Sequence, residues 1–311
     1  MSIVALAGGV GGARMALALA SVLPPRTLSV IVNTGDDFTH LGLAISPDID
    51  SVLYTMAGIN DAVRGWGQAD ESWAFMDALR RLGGEDWFAL GDRDLATHVL
   101  RTRALESQPL SAITCTMAAR LGIQQAVLPM SDDPVPSMVL TDQGELAFQD
   151  YFVRFQSEPR FCSIRFSGVE NARPAPGVID AIDAAEGIVI CPSNPWLSIA
   201  PIRAVPGIED SLNMARRRGT PIVAVSPFIG GEAVKGPAAK ILRELGKEPT
   251  PTAIADVYAG LVTDLVIDHQ DADLPRPEGM AVHVTHTLMR DEAVRIALGQ
   301  AVLAIIANRG N

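Results

Sequence analysis

Five short runs of mostly apolar residues rich in Val and Ile, Ile3 to Ala7, Leu28 to Asn33, Gly187 to Cys191, Pro221 to Ser226 and Leu265 to Asp268, recur along this chain. They do not alternate with polar residues, so both faces of each strand must be buried. A mostly parallel sheet covered by helices meets that demand. Apolar residues spaced three and four apart follow at Gly12 to Val22, Glu209 to Arg218, Gly231 to Leu245 and Asp291 to Asn308, where helices are expected. The pattern predicts an α/β protein with a doubly wound, mostly parallel sheet.

From about Asp61 to Leu121 the pattern changes to successive helices containing Trp66, Trp73 and Trp87. Met138 to Thr141, Leu146 to Arg154 and Ser163 to Ser167 then alternate like antiparallel strands. Residues 61–170 are therefore expected to form an inserted, largely helical cap over a core built from residues 1–60 and 171–311. A chain of 311 residues with 48% hydrophobic and 20% charged side chains can bury such a core, which excludes disordered and fibrous classes.

A net charge of −11 argues against nucleic acid as a partner, because polyanion affinity needs clustered cations. Cys115, Cys162 and Cys191 are far apart and form no CxxC, as in a reducing compartment. The amino terminus lacks a basic start, and no run approaches the roughly 18 apolar residues of a membrane helix. A cytoplasmic protein without a membrane partner is expected.

Ligands of open α/β sheets sit beyond the carboxyl ends of the strands, so the loops leaving the predicted strands are informative. Gly8-Gly9-Val10-Gly11-Gly12-Ala13-Arg14 joins a strand to a helix and can offer backbone N–H groups to an anion. It matches neither GxGxxG nor a Walker A loop. The other three loops are Asn33-Thr34-Gly35-Asp36-Asp37, Cys191-Pro192-Ser193-Asn194-Pro195 and Ser226-Pro227-Phe228-Ile229-Gly230-Gly231. Together they suggest a nucleotide-type site whose phosphate and nucleotide contacts include Gly9, Gly11, Gly12, Asn33, Asp36, Ser193, Asn194, Ser226, Gly230 and Gly231. Lysine occurs only at 235, 240 and 247 against 22 arginines, which marks Lys235 as a further phosphate contact unless all three simply solvate a helix face.

Ser46-Pro47-Asp48-Ile49-Asp50 has the form of a helix start, with acids opposing the dipole. Asp48 and Asp50, with Asp36 or Asp37 nearby, are also hard oxygen ligands of the kind Mg²⁺ takes together with phosphate. In Gly91-Asp92-Arg93-Asp94-Leu95-Ala96-Thr97-His98, Asp94 and His98 fall on one helix face, either as a cap with an ion pair or as a binding element. Asp132, Asp133 and Gln149 to Phe152 line the same cleft or are a turn and a strand. His283 and His286 point to opposite faces of a strand and make a poor metal pair.

Several segments together resemble the 2-phospho-L-lactate transferase (CofD-type) family of coenzyme F420 biosynthesis. They are GGVGGAR at 8–14, NTGDD at 33–37, LAISPDIDSVLY at 43–54, GDRDLATH at 91–98, LPMSDDPV at 128–135, FQDYFVR at 148–154, CPSNPWLSI at 191–199, and SPFIGG followed by KGPA. The resemblance spans most of the chain. It implies a Rossmann-like core, a homodimer and Mg²⁺ dependence. The implied reaction transfers a phospho-three-carbon-acid group from its guanosine diphosphate ester to the ribityl hydroxyl of the deazaflavin Fo, releasing GMP. It also implies Asp50 at the metal and the deazaflavin hydroxyl, as the catalytic residue, and Arg93 against the deazaflavin. Two rivals are a non-catalytic CofD-like regulator that binds nucleotide sugars and an NAD-dependent oxidoreductase. GDRDLATH together with FQDYFVR speaks against the first, and the missing GxGxxG against the second.

Overall fold

The predicted strands lie side by side at the centre of the molecule, in a computed structural model that describes residues 1–234 and 236–309. β1 (Ile3–Ala7) leads through α1 (Gly9–Ala20) to β2 (Leu28–Val32). A small antiparallel hairpin, β3 (Phe38–His40) and β4 (Leu43–Ile45), precedes α2 (Pro47–Met56). Three helices follow, α3 (Ala74–Arg81), α4 (Asp92–Ala104) and α5 (Leu110–Arg120), then β5 (Ala126–Pro129). β6 (Ser137–Thr141), β7 (Gly144–Ala147) and β8 (Phe161–Phe166) form an antiparallel layer. The chain returns through β9 (Gly187–Ile190) and β10 (Ile222–Val225), makes the short hairpin β11 (Phe228–Ile229) and β12 (Glu232–Ala233), and finishes the sheet with β13 (Asp264–Asp268) and β14 (Ala281–Thr285).

The central sheet has seven parallel strands in the order β14-β13-β10-β9-β1-β2-β5. Period-two alternation sends β1 into two separate cores. Ile3, Ala5 and Ala7 pack with Met15 and Leu19 of α1 and with Leu298 and Val302 of the last helix. Val4 and Leu6 face the helices Val178–Asp183 and Ile208–Arg217, through Val178, Ile182, Ile208 and Leu212. Both faces are covered, which is why these strands are apolar throughout.

Three expectations change. β5 lies within 61–170 yet pairs with β2 in the central sheet, so that stretch is not one insertion beside the core. The strand expected over Leu146 to Arg154 ends at Ala147; Asp150–Arg154 is a π-helix that buries Tyr151. The helix expected from Gly231 to Leu245 is confined to Ala238–Glu244, because Gly230, Gly231 and Gly236 adopt left-handed φ and Pro237 sits at its start. α3 and α4 pack on the β3–β4 hairpin, where Met76, Leu90 and Ile45 share a small core with Phe38, Phe88 and Leu95, whereas α5 packs on the sheet through Leu110 and Ala118. No helix among the described residues is long and apolar enough to cross a membrane.

Candidate active site

The strand order reverses at β1, which has β2 on one side and β9 on the other. The loops after β1 and β9 therefore diverge and leave a crevice at their carboxyl ends. Ser193 ties the two loops together: its hydroxyl accepts from the Gly8 N–H (3.2 Å) and donates to the Gly8 carbonyl (2.8 Å). A Cβ on Gly11 would lie 2.2 Å from the Pro192 carbonyl oxygen, so only glycine allows this approach. Asn194 caps the following π-helix, its Oδ1 accepting from the N–H groups of Trp196 and Leu197. At the start of α1, Gly8 donates to Ser193 and Gly9 to Asp48 (2.6 Å). The unpaired N–H groups of that first turn that remain are those of Val10 and Gly11.

Three carboxylates, Asp36, Asp37 and Asp48, gather beside this turn. Asp48 accepts from Gly9 and from Asn33 Nδ2 (2.9 Å), and Asn33 Nδ2 also reaches Asp36 Oδ1 at 3.4 Å. Asp37 accepts from the Ser46 hydroxyl at 2.7 Å. Burial raises Asp48 to about 6 against the pull of Asn33 and Gly9. Asp36 is pushed well above the carboxylate range by burial and by the charges of Asp48 and Asp37. Asp37 is raised likewise by burial, against Ser46 and Arg101. Carboxylates this close resist ionising together unless a cation joins them.

Asp50 faces elsewhere. Two residues apart on α2, Asp48 and Asp50 are rotated by about 200°, so the joint ligand pair expected from the sequence is split between different partners. Both Asp50 oxygens are met by the guanidinium of Arg101 on α4, Nη1 to Oδ2 at 3.0 Å and Nη2 to Oδ1. His98 Nδ1 lies 3.7 Å from Asp50 Oδ2, and its Nε2 lies 3.4 Å from Asp94 Oδ2, close enough for an ion pair but not aligned as a hydrogen bond. Tyr54 of α2 donates to Asp94 Oδ1 at 2.5 Å. All five side chains are buried. Burial raises Asp50 although Arg101 pulls it down, whereas Asp94 stays below its ordinary value because His98 and Tyr54 outweigh burial. Among the described residues, Asp50, Asp94 and His98 form the one group of three acids or histidines whose ligand atoms come within 4.8 Å of one another.

The remaining expected residues are dispersed. Ser226 ends β10 and hydrogen-bonds within its own turn to Phe228; Gly230 and Gly231 make the β11–β12 turn, against Gln270 and the Pro249 carbonyl respectively. Lys235 lies outside the described residues. Arg93 is exposed on the first turn of α4; its backbone N–H donates to Glu71 (2.7 Å) and its Nη1 to the Ala69 carbonyl (3.2 Å). Asp132 caps α5 through Ser111, and Asp133 accepts from the Arg173 N–H, so both have structural duties. His283 pairs with buried Asp264, and His286 stacks near His269.

A cleft of about 210 Å³ opens beside Asp36 and Asp37, walled by Phe38, Trp87, Phe148 and Gln149. Trp87 meets His40 edge-on at 5.1 Å, with the Arg154 guanidinium 6.0 Å from its ring. Three buried oxygens without a hydrogen-bond partner lie at or next to this rim, Thr34 Oγ1, Asp37 Oδ1 and Ser137 Oγ, and the Asn194 Nδ2 nitrogen lacks one too. Sequence reading missed Arg101, Tyr54 and Ser137. For Arg101 a signal existed: positions 94, 98 and 101 form an i, i+4, i+7 stripe that, unlike a core stripe, carries charge.

The family model described as "2-phospho-L-lactate transferase CofD" matches residues 3–302. A phosphoenolpyruvate transferase of Streptomyces griseus is 43% identical over 279 residues, covering 88% of this chain and 87% of its own. A 2-phospho-L-lactate transferase of Methanothermobacter thermautotrophicus is 35% identical over 307 residues, covering 98% of both chains. The solved structure of protein BH3568 from Bacillus halodurans aligns over 97% of this chain and 99% of its own with a TM-score of 0.66, at 15% identity, which speaks for the fold alone. With 300 of its positions spanned by that model and relatives above 40% identity along most of its length, the chain belongs to the CofD family of 2-phospho-L-lactate transferases.

Proposed function

We propose that this transferase moves a phospho-three-carbon-acid group from its guanosine diphosphate ester to the ribityl hydroxyl of Fo. The hydroxyl oxygen forms a bond to the β-phosphorus, the bond to the bridging oxygen breaks, GMP leaves, and the hydroxyl proton is lost. The observation that carries this reading is the convergence of the Gly8–Gly12 loop, the Cys191–Pro195 loop and three aspartates, Asp36, Asp37 and Asp48, at one switch point. The N–H groups of Val10 and Gly11 suit a diphosphate oxygen at a helix start. Asp50, raised by burial, is a stronger base than a solvated aspartate and is the group assigned to the hydroxyl. Such a site works by positioning and charge neutralisation. Trp87, Phe38 and Phe148 offer aromatic surface of the kind a tricyclic ring packs on, with Arg93 the expected deazaflavin contact from the adjoining layer.

Mg²⁺ fits the donors present. Asp36, Asp37 and Asp48 offer hard oxygens, one of them (Asp37 Oδ1) without a partner, and their suppressed ionisation is what a divalent cation relieves. When bound, the ion supplies charge neutralisation for the diphosphate. Asp48 with Asp36 or Asp37 would hold it, with Asp50 across α2. Assembly as a homodimer belongs to the same proposal.

Relatives at 41–43% identity are named phosphoenolpyruvate transferases, whereas those at 35–38% include two 2-phospho-L-lactate transferases and one phosphoenolpyruvate transferase, so the enolpyruvyl ester ranks first as donor. Incubation with Fo, Mg²⁺ and, in turn, the phosphoenolpyruvate, 2-phospholactate and 3-phosphoglycerate esters tests this. GMP and a phosphodiester-linked deazaflavin are expected, fastest with the first ester. No product from any donor would overturn the assignment.

A further inference from the structure

We infer that Arg101 is a positioning residue for the transfer, one that acts through Asp50; the inference rests on the proposed function. Arg101 is 1% exposed and is the largest fully buried side chain of the described residues. An arginine contributes nothing to a core that an apolar residue of similar volume would not contribute at lower desolvation cost. Its presence needs a reason beyond packing, and its bonds supply one. Two guanidinium nitrogens engage both oxygens of Asp50, and Nη1 also approaches the Ala44 carbonyl of β4 at 3.4 Å. A planar fork held this way fixes the rotation of the carboxylate as well as its position, which a lysine point charge does not do. Behind it, His98 lies 3.4 Å from Arg101 Nη1 and is itself flanked by Asp94, whose other oxygen is fastened to Tyr54. The orientation of Asp50 is thus set by a chain that runs from α2 to α4 and back to α2.

The pairing also divides the acidic site. Asp50 has its own buried cation, whereas Asp36, Asp37 and Asp48 are met by Asn33, Gly9 and Ser46, and Arg101 acts on Asp37 only through its charge. The two halves then have distinct duties: the Asp36, Asp37 and Asp48 half faces the diphosphate, and Asp50, already neutralised, is presented to the acceptor hydroxyl in one orientation. A residue of this kind affects turnover far more than donor affinity.

The test uses the full-length protein with Fo, Mg²⁺ and the best of the three guanosine diphospho donors. For Arg101→Ala we expect kcat to fall about 100-fold or more, with the donor KM within about threefold of wild type. Added guanidinium ion should restore part of kcat, and Arg101→Lys should stay well below wild type because it lacks the fork. A folded Arg101→Ala that turns over at the wild-type rate, loses only donor affinity, or gains nothing from guanidinium overturns the inference. Should Arg101→Ala fail to fold, Arg101→Lys decides: lowered kcat at unchanged donor KM supports the role, and wild-type kcat removes it. Wild-type protein that releases no GMP from any donor sinks the proposed function and this inference with it, whereas active wild type beside an equally active variant sinks this inference alone.

Discussion

Asp50 and Arg93 stand in opposite physical settings, and their substitutions should separate accordingly. Asp50→Asn keeps the shape but leaves the buried Arg101 without its counter-ion, so a stability loss of about 1–3 kcal/mol is expected together with a fall in turnover of at least about 100-fold. Thermal melts and GMP release measure the two, and near-normal turnover would remove Asp50 from the chemistry. Arg93 is exposed, and among the described residues its side chain bonds to the Ala69 carbonyl, so Arg93→Ala should change stability by less than about 0.5 kcal/mol. Its expected effect is weaker Fo binding, read by deazaflavin fluorescence; an unchanged titration would count against a contact there. Both residues were legible in the sequence through the segments they sit in. For Arg101 the one signal was its place in the charged stripe with Asp94 and His98; its partner Asp50 emerges only when α2 and α4 are seen to face each other.

The loop after β1 shows how closely two elements depend on a missing side chain. Gly11→Ala would drive a methyl group to 2.2 Å from the Pro192 carbonyl oxygen, and backbone rather than a flexible side chain would have to yield. We expect a loss of about 1–3 kcal/mol and a raised donor KM, because the crevice between the loops after β1 and β9 widens. Calorimetry and steady-state kinetics check both, and a variant with wild-type melting temperature and donor KM would show that this approach is not what shapes the crevice. The glycine run and its neighbour CPSNP announced themselves in sequence by their residue types. The π-helix at Asp150–Arg154 did not: its run of Tyr151, Phe152 and Val153 suits a strand by residue type, and the burial of Tyr151 against Phe161 decides otherwise. Pro237 likewise sets the start of a helix whose apolar spacing extended further towards the amino end.

For the molecule as a whole, the acidic site should make stability depend on pH and on Mg²⁺. Asp48 is raised from 3.8 to about 6, so between those values the folded protein holds a proton that the unfolded chain has released. Stability contributed by this group therefore falls as pH rises from about 4 through 6, and Asp36 and Asp37, raised by burial in the same direction, add losses of the same sign. Mg²⁺ binds the ionised form, so its benefit should grow over the same range. The melting temperature in EDTA is expected to drop between pH 5 and pH 7.5, and about 10 mM Mg²⁺ should raise it by roughly 2–5 °C at pH 7.5 and by much less at pH 5. An equal Mg²⁺ response at both pH values would mean that these carboxylates are not where the ion binds. From sequence alone came the parallel sheet, the rim that carries the loops, and the family, because strand and helix periodicities and turn residues are local and need no knowledge of distant segments. Tertiary structure alone decided that β5 completes the sheet from inside the expected cap, that Asp48 and Asp50 part company on α2, and that Arg101, 51 residues from Asp50, closes on it. Those outcomes depend on the angle at which packed elements meet, which spacing along the chain does not encode.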